Sequence, residues 1–212
     1  MLTVALTGGI ASGKSVVAEV WRARGCYIDS ADAAARALMR PGQPAWKKVK
    51  AYFGPDVLAP DQTIDRNKLA RIVFRDAAMR EALNAMTHPL VIAEQRRTIA
   101  RLKKAGRTKI YVSEAALTIE AGFDVFFDKV VVVLCPRAVQ IARLRTRDAI
   151  SRAEAARRIA AQMPAEEKKK RADYVIDASG ALEETIAQTE RIYILLLEDE
   201  AAQRRRRTAV LS

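Results

Sequence analysis

The chain has 212 residues, 37 basic against 25 acidic for a net charge of +12, with half of its residues hydrophobic and 29% charged. That balance describes a globular chain with an ordinary core and excludes a disordered, collagen-like or disulfide-stapled one. No apolar run approaches the roughly 20 residues that cross a bilayer, so no membrane partner and a cytoplasmic location are expected; at about 150 residues per domain the length predicts one domain with an embellishment.

Leu2-Thr3-Val4-Ala5-Leu6 is a short apolar run with β-branched residues, ended by Gly8-Gly9, and reads as a buried strand. From Gly13 to Arg24 the apolar Val16, Val17, Val20 and Trp21 recur at helical spacing, with Gly25 placed to stop the helix. Cys26-Tyr27-Ile28 then reads as a second strand, and this order opens a parallel α/β sheet. From Ser30 to about Leu102 the pattern is helical, punctuated by Pro41-Gly42, by Gly54-Pro55 through Pro60-Asp61, and by His88-Pro89, and no strand is expected there. Such a block is an insertion beside the sheet, suited to holding an acceptor substrate.

The sheet resumes at Lys109-Ile110-Tyr111-Val112. Lys129 to Leu134 is a near-continuous β-branched run, expected to be central and covered on both faces, and Tyr174-Val175-Ile176 makes a fifth strand. Between those two lies a basic helical pair, Arg137 to Arg171, whose charges read mostly as a solvated helix face. Leu182 to Leu197 is a final amphipathic helix, and Arg204 to Arg207 begins a tail expected to fray. The expected organisation is therefore a single domain with core segments 1–29, 107–136 and 172–200, a helical region 30–106, a helical segment 137–171 and a basic tail 201–212. Cys26 and Cys135 sit in no CxxC or His/Cys cluster, so they offer no metal site and read as buried free thiols.

Gly8-Gly9-Ile10-Ala11-Ser12-Gly13-Lys14-Ser15 fits GxxxxGK[ST], the Walker A phosphate loop, and lies between a predicted strand and a predicted helix, as the mechanism requires. The glycines let consecutive N–H groups curl around phosphate oxygens, the helix N-terminus adds partial positive charge, and Lys14 reaches toward the β and γ phosphates. Ser15 is the expected magnesium ligand. The chain shows no NKxD-like guanine signature, so a small-molecule kinase leads over a GTPase. In such enzymes positioning and charge neutralisation dominate, which calls for a carboxylate near the acceptor hydroxyl, arginines on the transferred phosphoryl and a cover against water.

Taken together the motifs resemble the dephospho-CoA kinase family. The resemblance spans nearly the whole chain and rests on Leu6 to Ser15, on Asp32 within Ser30 to Arg36, on Tyr52-Phe53-Gly54 and on Ile64 to Leu69. It continues through Thr87-His88-Pro89-Leu90, Gln140, Arg143, Arg147-Asp148, Gln162 and Ala172 to Asp177. It implies a five-stranded parallel P-loop kinase fold of class α/β, with an acceptor-binding region over 30–106 and a mobile lid over 137–171. It further implies ATP and Mg²⁺ as cofactors, dephospho-CoA as the small-molecule substrate, no nucleic-acid partner and a monomer.

The family carries Asp-x-Asp after the second strand, the second member acting as base; without a gap Asp32 takes the second place and Ser30 the first. Asp29 is the rival, pointing into the site if the strand register slips by one, and a helix N-cap is the structural role open to either. By resemblance Arg66 and His88 line the dephospho-CoA side, Arg66 as a bidentate phosphate clamp; His88 has equal standing as a packing residue. Arg143 and Arg147 lie four apart and share a helix face, and Arg147 is the lid arginine expected to neutralise transition-state charge. The chain also departs from the family pattern. Ala116-Leu117-Thr118-Ile119-Glu120 stands where the family usually has a proline-leucine-leucine-hydrophobic-glutamate segment, Glu114 stands where aspartate is common, and Ala178 replaces an asparagine and so offers no amide to an adenine. Two alternatives stay open at this point: another nucleoside or nucleotide kinase, and a basic ATP-binding module acting on nucleic acid. The second is disfavoured by the lack of aromatic residues between Arg137 and Lys170.

Overall fold

The computed structural model describes residues 1–211, the side chains of Phe74, Val210 and Leu211 excepted. They fall into two compact units, residues 1–29 with 102–211, and Ser30–Arg101.

The first unit is built on a sheet. Strand β1 (Leu2–Gly8) is buried along its whole length, as a run with no polar alternation requires. It is followed by helix α1 (Lys14–Ala23) and β2 (Tyr27–Ser30). After the second unit come β3 (Ile110–Glu114) and β4 (Lys129–Leu134). The strand order is β2-β3-β1-β4, then a fifth strand described below, and β1 pairs in parallel with both β3 and β4. The middle strand is thus β1 and not Lys129–Leu134, which lies one place off centre. The expectation that β4 is covered on both faces holds. Val131 and Val133 join Val4, Leu6, Val17, Trp21 and Leu196 in one core, while Val130 and Val132 join Ala5 and Ile119 in another. Alternate side chains of one strand enter opposite cores, the two-residue period of β structure.

The segment expected as a helical pair is three helices, α6 (Arg137–Asp148), α7 (Arg152–Ala160) and α8 (Ala165–Lys169). Ala149 in the left-handed conformation ends α6, and the Ser151 hydroxyl caps α7 by accepting from the Glu154 N–H. Strand β5 (Tyr174–Asp177) pairs in parallel with β4. Helix α9 (Leu182–Leu211) then runs 30 residues, so Arg204 to Arg207 is helical and not frayed. Its buried stripe of Thr185, Thr189, Ile192, Leu196 and Glu200 recurs at steps of three and four and stops at Glu200. The residues beyond, Ala201-Ala202-Gln203 and four arginines, are strong helix formers and carry the helix past its apolar stripe. Trp21 of α1 is fully buried, and its indole N–H donates to the Thr189 carbonyl at 3.1 Å, which ties α1 to α9.

The second unit holds α2 (Ala31–Leu38), α3 (Pro44–Phe53), α4 (Arg66–Arg75) and the start of α5 (Ala77–Ala105). No strand occurs among its described residues beyond β2's last residue, only an isolated antiparallel bridge between Leu58 and Ile64. Its own core gathers Val49, Val57, Leu58, Leu69 and Val73. The break expected at His88-Pro89 is absent, since α5 contains Pro89 in its interior. Pro89 withdraws the N–H that the Ala85 carbonyl would accept, a loss of a single bond that a helix of 29 residues absorbs.

Candidate active site

The strand-to-helix turn at the end of β1 is the Gly8–Ser15 loop. Gly8 has φ 148°, and a side chain there would run into the Val133 carbonyl of β4 and the Ser12 hydroxyl. Gly13, at φ 107°, is the residue before α1 and lies against Ala178 and Arg143. Lys14 Nζ donates to the carbonyls of Gly8 at 2.9 Å and Gly9 at 3.0 Å, folding the ammonium back over the loop. The Ser12 hydroxyl is buried within the loop and has no partner among the described residues.

Two glutamines fix the middle of this loop. The Ile10 N–H donates to Gln162 Oε1 at 2.7 Å, and the Gln140 amide donates to the Ile10 carbonyl at 2.9 Å. Gln140 lies on α6 and Gln162 just past the end of α7, so both ends of one loop residue are held by the 137–171 segment. Their place in the sequence pattern was visible, but no spacing in the sequence tells that they hold the loop backbone.

Arg143 also braces the loop, donating to the Ser12 carbonyl at 3.3 Å and to the Ala178 carbonyl at 3.0 Å. Ala178, read in the sequence only as a lost amide, is buried and packs on Gly13. Arg147 makes a two-point contact with Asp148, at 2.7 and 3.1 Å, and Asp148 is also bonded by Arg158 at 3.0 Å. The Arg147 hydrogen bond holds the Asp148 carboxyl below its usual range. A cavity of about 580 Å³, within the range of small-molecule sites, is lined by Ala11, Gly13 and Ser15 together with Arg143, Thr146 and Arg147. Ser15 is exposed at the start of α1. A hydroxyl that is completed by phosphate oxygens and water is the donor set that suits Mg²⁺, so this residue fits that ion.

Of the two candidate aspartates, Asp29 is built into the sheet edge. It accepts the Tyr111 hydroxyl at 2.6 Å, and Tyr111 stacks on Tyr27 with centroids 6.0 Å apart. Burial, with this bond, raises the Tyr111 phenol far above its ordinary value, so it stays the donor. Asp32 is exposed in the first turn of α2, and the cap of that helix is Ser30, whose hydroxyl accepts from Ala33 N–H at 3.3 Å. Asp32 is therefore not the N-cap. Glu114 is the last residue of β3, partly buried. Within the second unit, Arg66 opens α4 and lines a separate cavity of about 430 Å³ with Arg36, Arg40, Ile64, Leu69 and Val73. His88, on α5, has its pKa lowered by burial.

The 116–120 segment, which departs from the family pattern in part, receives an unexpected partner. Lys168 of α8, part of the lysine run read as solvated, is fully buried; its ammonium donates to the Ala116 carbonyl and pairs with Glu120, each at 2.7 Å. The same Glu120 oxygen accepts the Met163 N–H at 3.2 Å. Cys26 and Cys135 are buried free thiols, Cys26 pushed up to about 12 by burial.

The dephospho-CoA kinase family model matches residues 2–184. The chain belongs to the dephospho-CoA kinase family. A relative named dephospho-CoA kinase from Anaeromyxobacter dehalogenans is 43% identical over 192 residues, covering 91% of this chain and 90% of the relative. Among solved structures, one from Thermus thermophilus is 31% identical with a TM-score of 0.79, covering 92% of this chain and 96% of that one. The dephospho-CoA kinase from Campylobacter jejuni is 26% identical with a TM-score of 0.67, covering 93% and 98%. Membership in the dephospho-CoA kinase family makes this chain an ATP-dependent kinase with a P-loop fold. Among the described residues no helix is long and apolar enough to cross a membrane.

Proposed function

We propose that this member of the family transfers the γ-phosphoryl of ATP to the ribose 3′-hydroxyl of dephospho-CoA, giving CoA and ADP. The observation that carries the reading is the cavity in which the phosphate-loop residues Gly13 and Ser15 and the arginines of α6, Arg143 and Arg147, form one lining. It unites backbone N–H donors, a helix N-terminus and two guanidinium groups, the complement of a triphosphate.

In this reading the loop N–H groups from Ala11 to Ser15 cradle the phosphates, while Gln140 and Gln162 hold Ile10 so that the loop is already curled when ATP arrives. Lys14 exchanges the Gly8 and Gly9 carbonyls for β and γ oxygens. Arg143 keeps its carbonyl partners and contributes fixed positive charge beside the loop. Arg147 leaves Asp148 for the transferring phosphoryl, where charge spreads over its oxygens in the transition state. Ser15 is the residue that would hold Mg²⁺, which supplies further neutralisation of the β and γ oxygens.

Asp32 accepts the proton of the 3′-hydroxyl as its oxygen bonds to the γ-phosphorus and the bridging bond to ADP breaks; the carboxyl then releases the proton to water. Arg66, with Arg36 and Arg40, offers three cations beside an apolar wall, suited to an acceptor that bears both a diphosphate and a long pantetheine arm. His88 serves the acceptor as a neutral polar contact, because burial disfavours its charged form, and Glu114 offers it a carboxylate from the end of β3.

The test is ADP release from Mg-ATP with dephospho-CoA, beside adenosine, AMP and shikimate. Stimulation by dephospho-CoA alone is expected. In Asp32→Asn turnover should fall at least about a hundredfold, the ordinary contribution of a general base, with ATP affinity retained. Undiminished turnover in that variant would remove Asp32 from the role, and stimulation by a different acceptor would remove the substrate assignment.

A further inference from the structure

A second cavity in the first unit, of about 540 Å³, is lined by the last turn of α5, the 106–109 loop before β3, and α9. Five cationic side chains converge on it: Lys103, Arg107, Lys109, Arg204 and Arg207. None of the five has an ion pair among the described residues. The one carboxylate of the lining, Glu200, is already engaged by the Met1 amine at 3.3 Å. Concentrating like charge without counter-charge costs stability unless an anion repays it. The basic helices 152–171 are different in this respect, since Arg157, Arg158, Lys170 and Arg171 all have carboxylate partners.

This cavity is not the phosphate-loop site. It opens beside Met1, at the amino end of β1, whereas the Gly8 loop leaves the carboxyl end; six residue steps at about 3.3 Å separate the two ends by roughly 20 Å. We propose that it is a binding site for a small, multiply charged phosphate ester or polyphosphate. Its concavity and size match a small ligand. The guanidinium groups of Arg107, Arg204 and Arg207 supply forked donors for phosphate oxygens, and Lys103 and Lys109 supply point charge. A single-stranded nucleic acid is the less suited occupant, because no aromatic side chain lines the cavity to stack on a base.

The probe is inorganic tripolyphosphate, titrated calorimetrically into the whole protein, into Lys14→Ala, which weakens the loop site, and into Arg107→Glu/Arg204→Glu. The expected result is two equivalents bound by the unaltered protein, one persisting in Lys14→Ala, and the second equivalent weakened at least tenfold in the double variant. The milder Lys103→Gln/Arg207→Gln should weaken it in the same direction, and unchanged ATP turnover certifies that both variants are folded. A single equivalent abolished by Lys14→Ala overturns the proposal, as does a second equivalent indifferent to both double variants. Tight binding of an oligonucleotide or of anionic phosphatidylserine vesicles through these residues, not displaced by tripolyphosphate, would replace it with a macromolecular surface.

Discussion

Ile10 has both of its backbone groups committed, the N–H to Gln162 and the carbonyl to Gln140. A phosphate loop needs its other N–H groups aimed inward before the ligand arrives, and a glycine-rich stretch by itself has too much backbone freedom to stay so arranged. Gln162→Ala deletes the acceptor of the Ile10 N–H, and because Ile10 is only partly buried water can take the place of the lost partner, so the loss falls on the loop's arrangement more than on the stability of the fold. The expected outcome is a rise of roughly tenfold in the KM for ATP, with a smaller fall in kcat and little change in melting temperature. Steady-state kinetics beside a thermal melt check it, and an equal loss of melting temperature would mark the residue as structural only. The Gly8–Ser15 loop itself was legible because its chemistry is local: the donors are backbone groups of consecutive residues. Gln162 lies 152 residues from Ile10, and that pairing exists only after the chain has folded. The same distinction separates the two aspartates. Asp29 and Asp32 look alike in a row of letters, but the Tyr111 hydroxyl that engages Asp29 comes from 82 residues away.

At the scale of elements, α8 is only five residues long, too short to be stable by itself. It is held by Lys168, whose ammonium is sunk onto Glu120 and the Ala116 carbonyl, and by the Arg171 pair with the buried Asp124. Any lid motion is therefore proposed for α6 and α7, with α8 as its anchored end. Removing one member of a buried pair leaves the other charged in a poor medium, at a cost of about 3–5 kcal/mol. Lys168→Met is accordingly expected to lower the urea midpoint sharply, and Lys168→Met/Glu120→Leu to regain a large part of the loss. Failure of the second substitution to restore stability would show that the hydrogen bonds lost at the Ala116 carbonyl and the Met163 N–H matter more than the charge pair. The lysine run gave no warning of this, because four consecutive cations carry no periodicity that marks one of them as buried. Helix α9 misled in the opposite direction: its apolar stripe ends at Glu200, yet intrinsic propensity alone continues the helix through the arginines.

For the whole molecule, a net charge of +12 sets the sign of the long-range field, and the proposed substrates are both polyanions. Encounter with them should be steered, so kcat/KM for ATP and for dephospho-CoA is expected to fall several-fold between about 50 mM and 300 mM salt while kcat changes little. Measurement of both constants across that series checks it, and a flat kcat/KM would mean that the surplus charge is directed elsewhere. The sequence by itself determined the strand-loop-helix opening, the five strands, the helical region from 30 onward and the phosphate loop. Each of these is written in hydrophobic period or in neighbouring backbone groups, and such information is short-range. Only the tertiary structure decided which strand is central, which aspartate the sheet engages, which lysine is buried and where five cations from α5, the 106–109 loop and α9 converge. Those outcomes depend on contacts between residues far apart in the chain, and no local pattern encodes a partner that folding alone brings near.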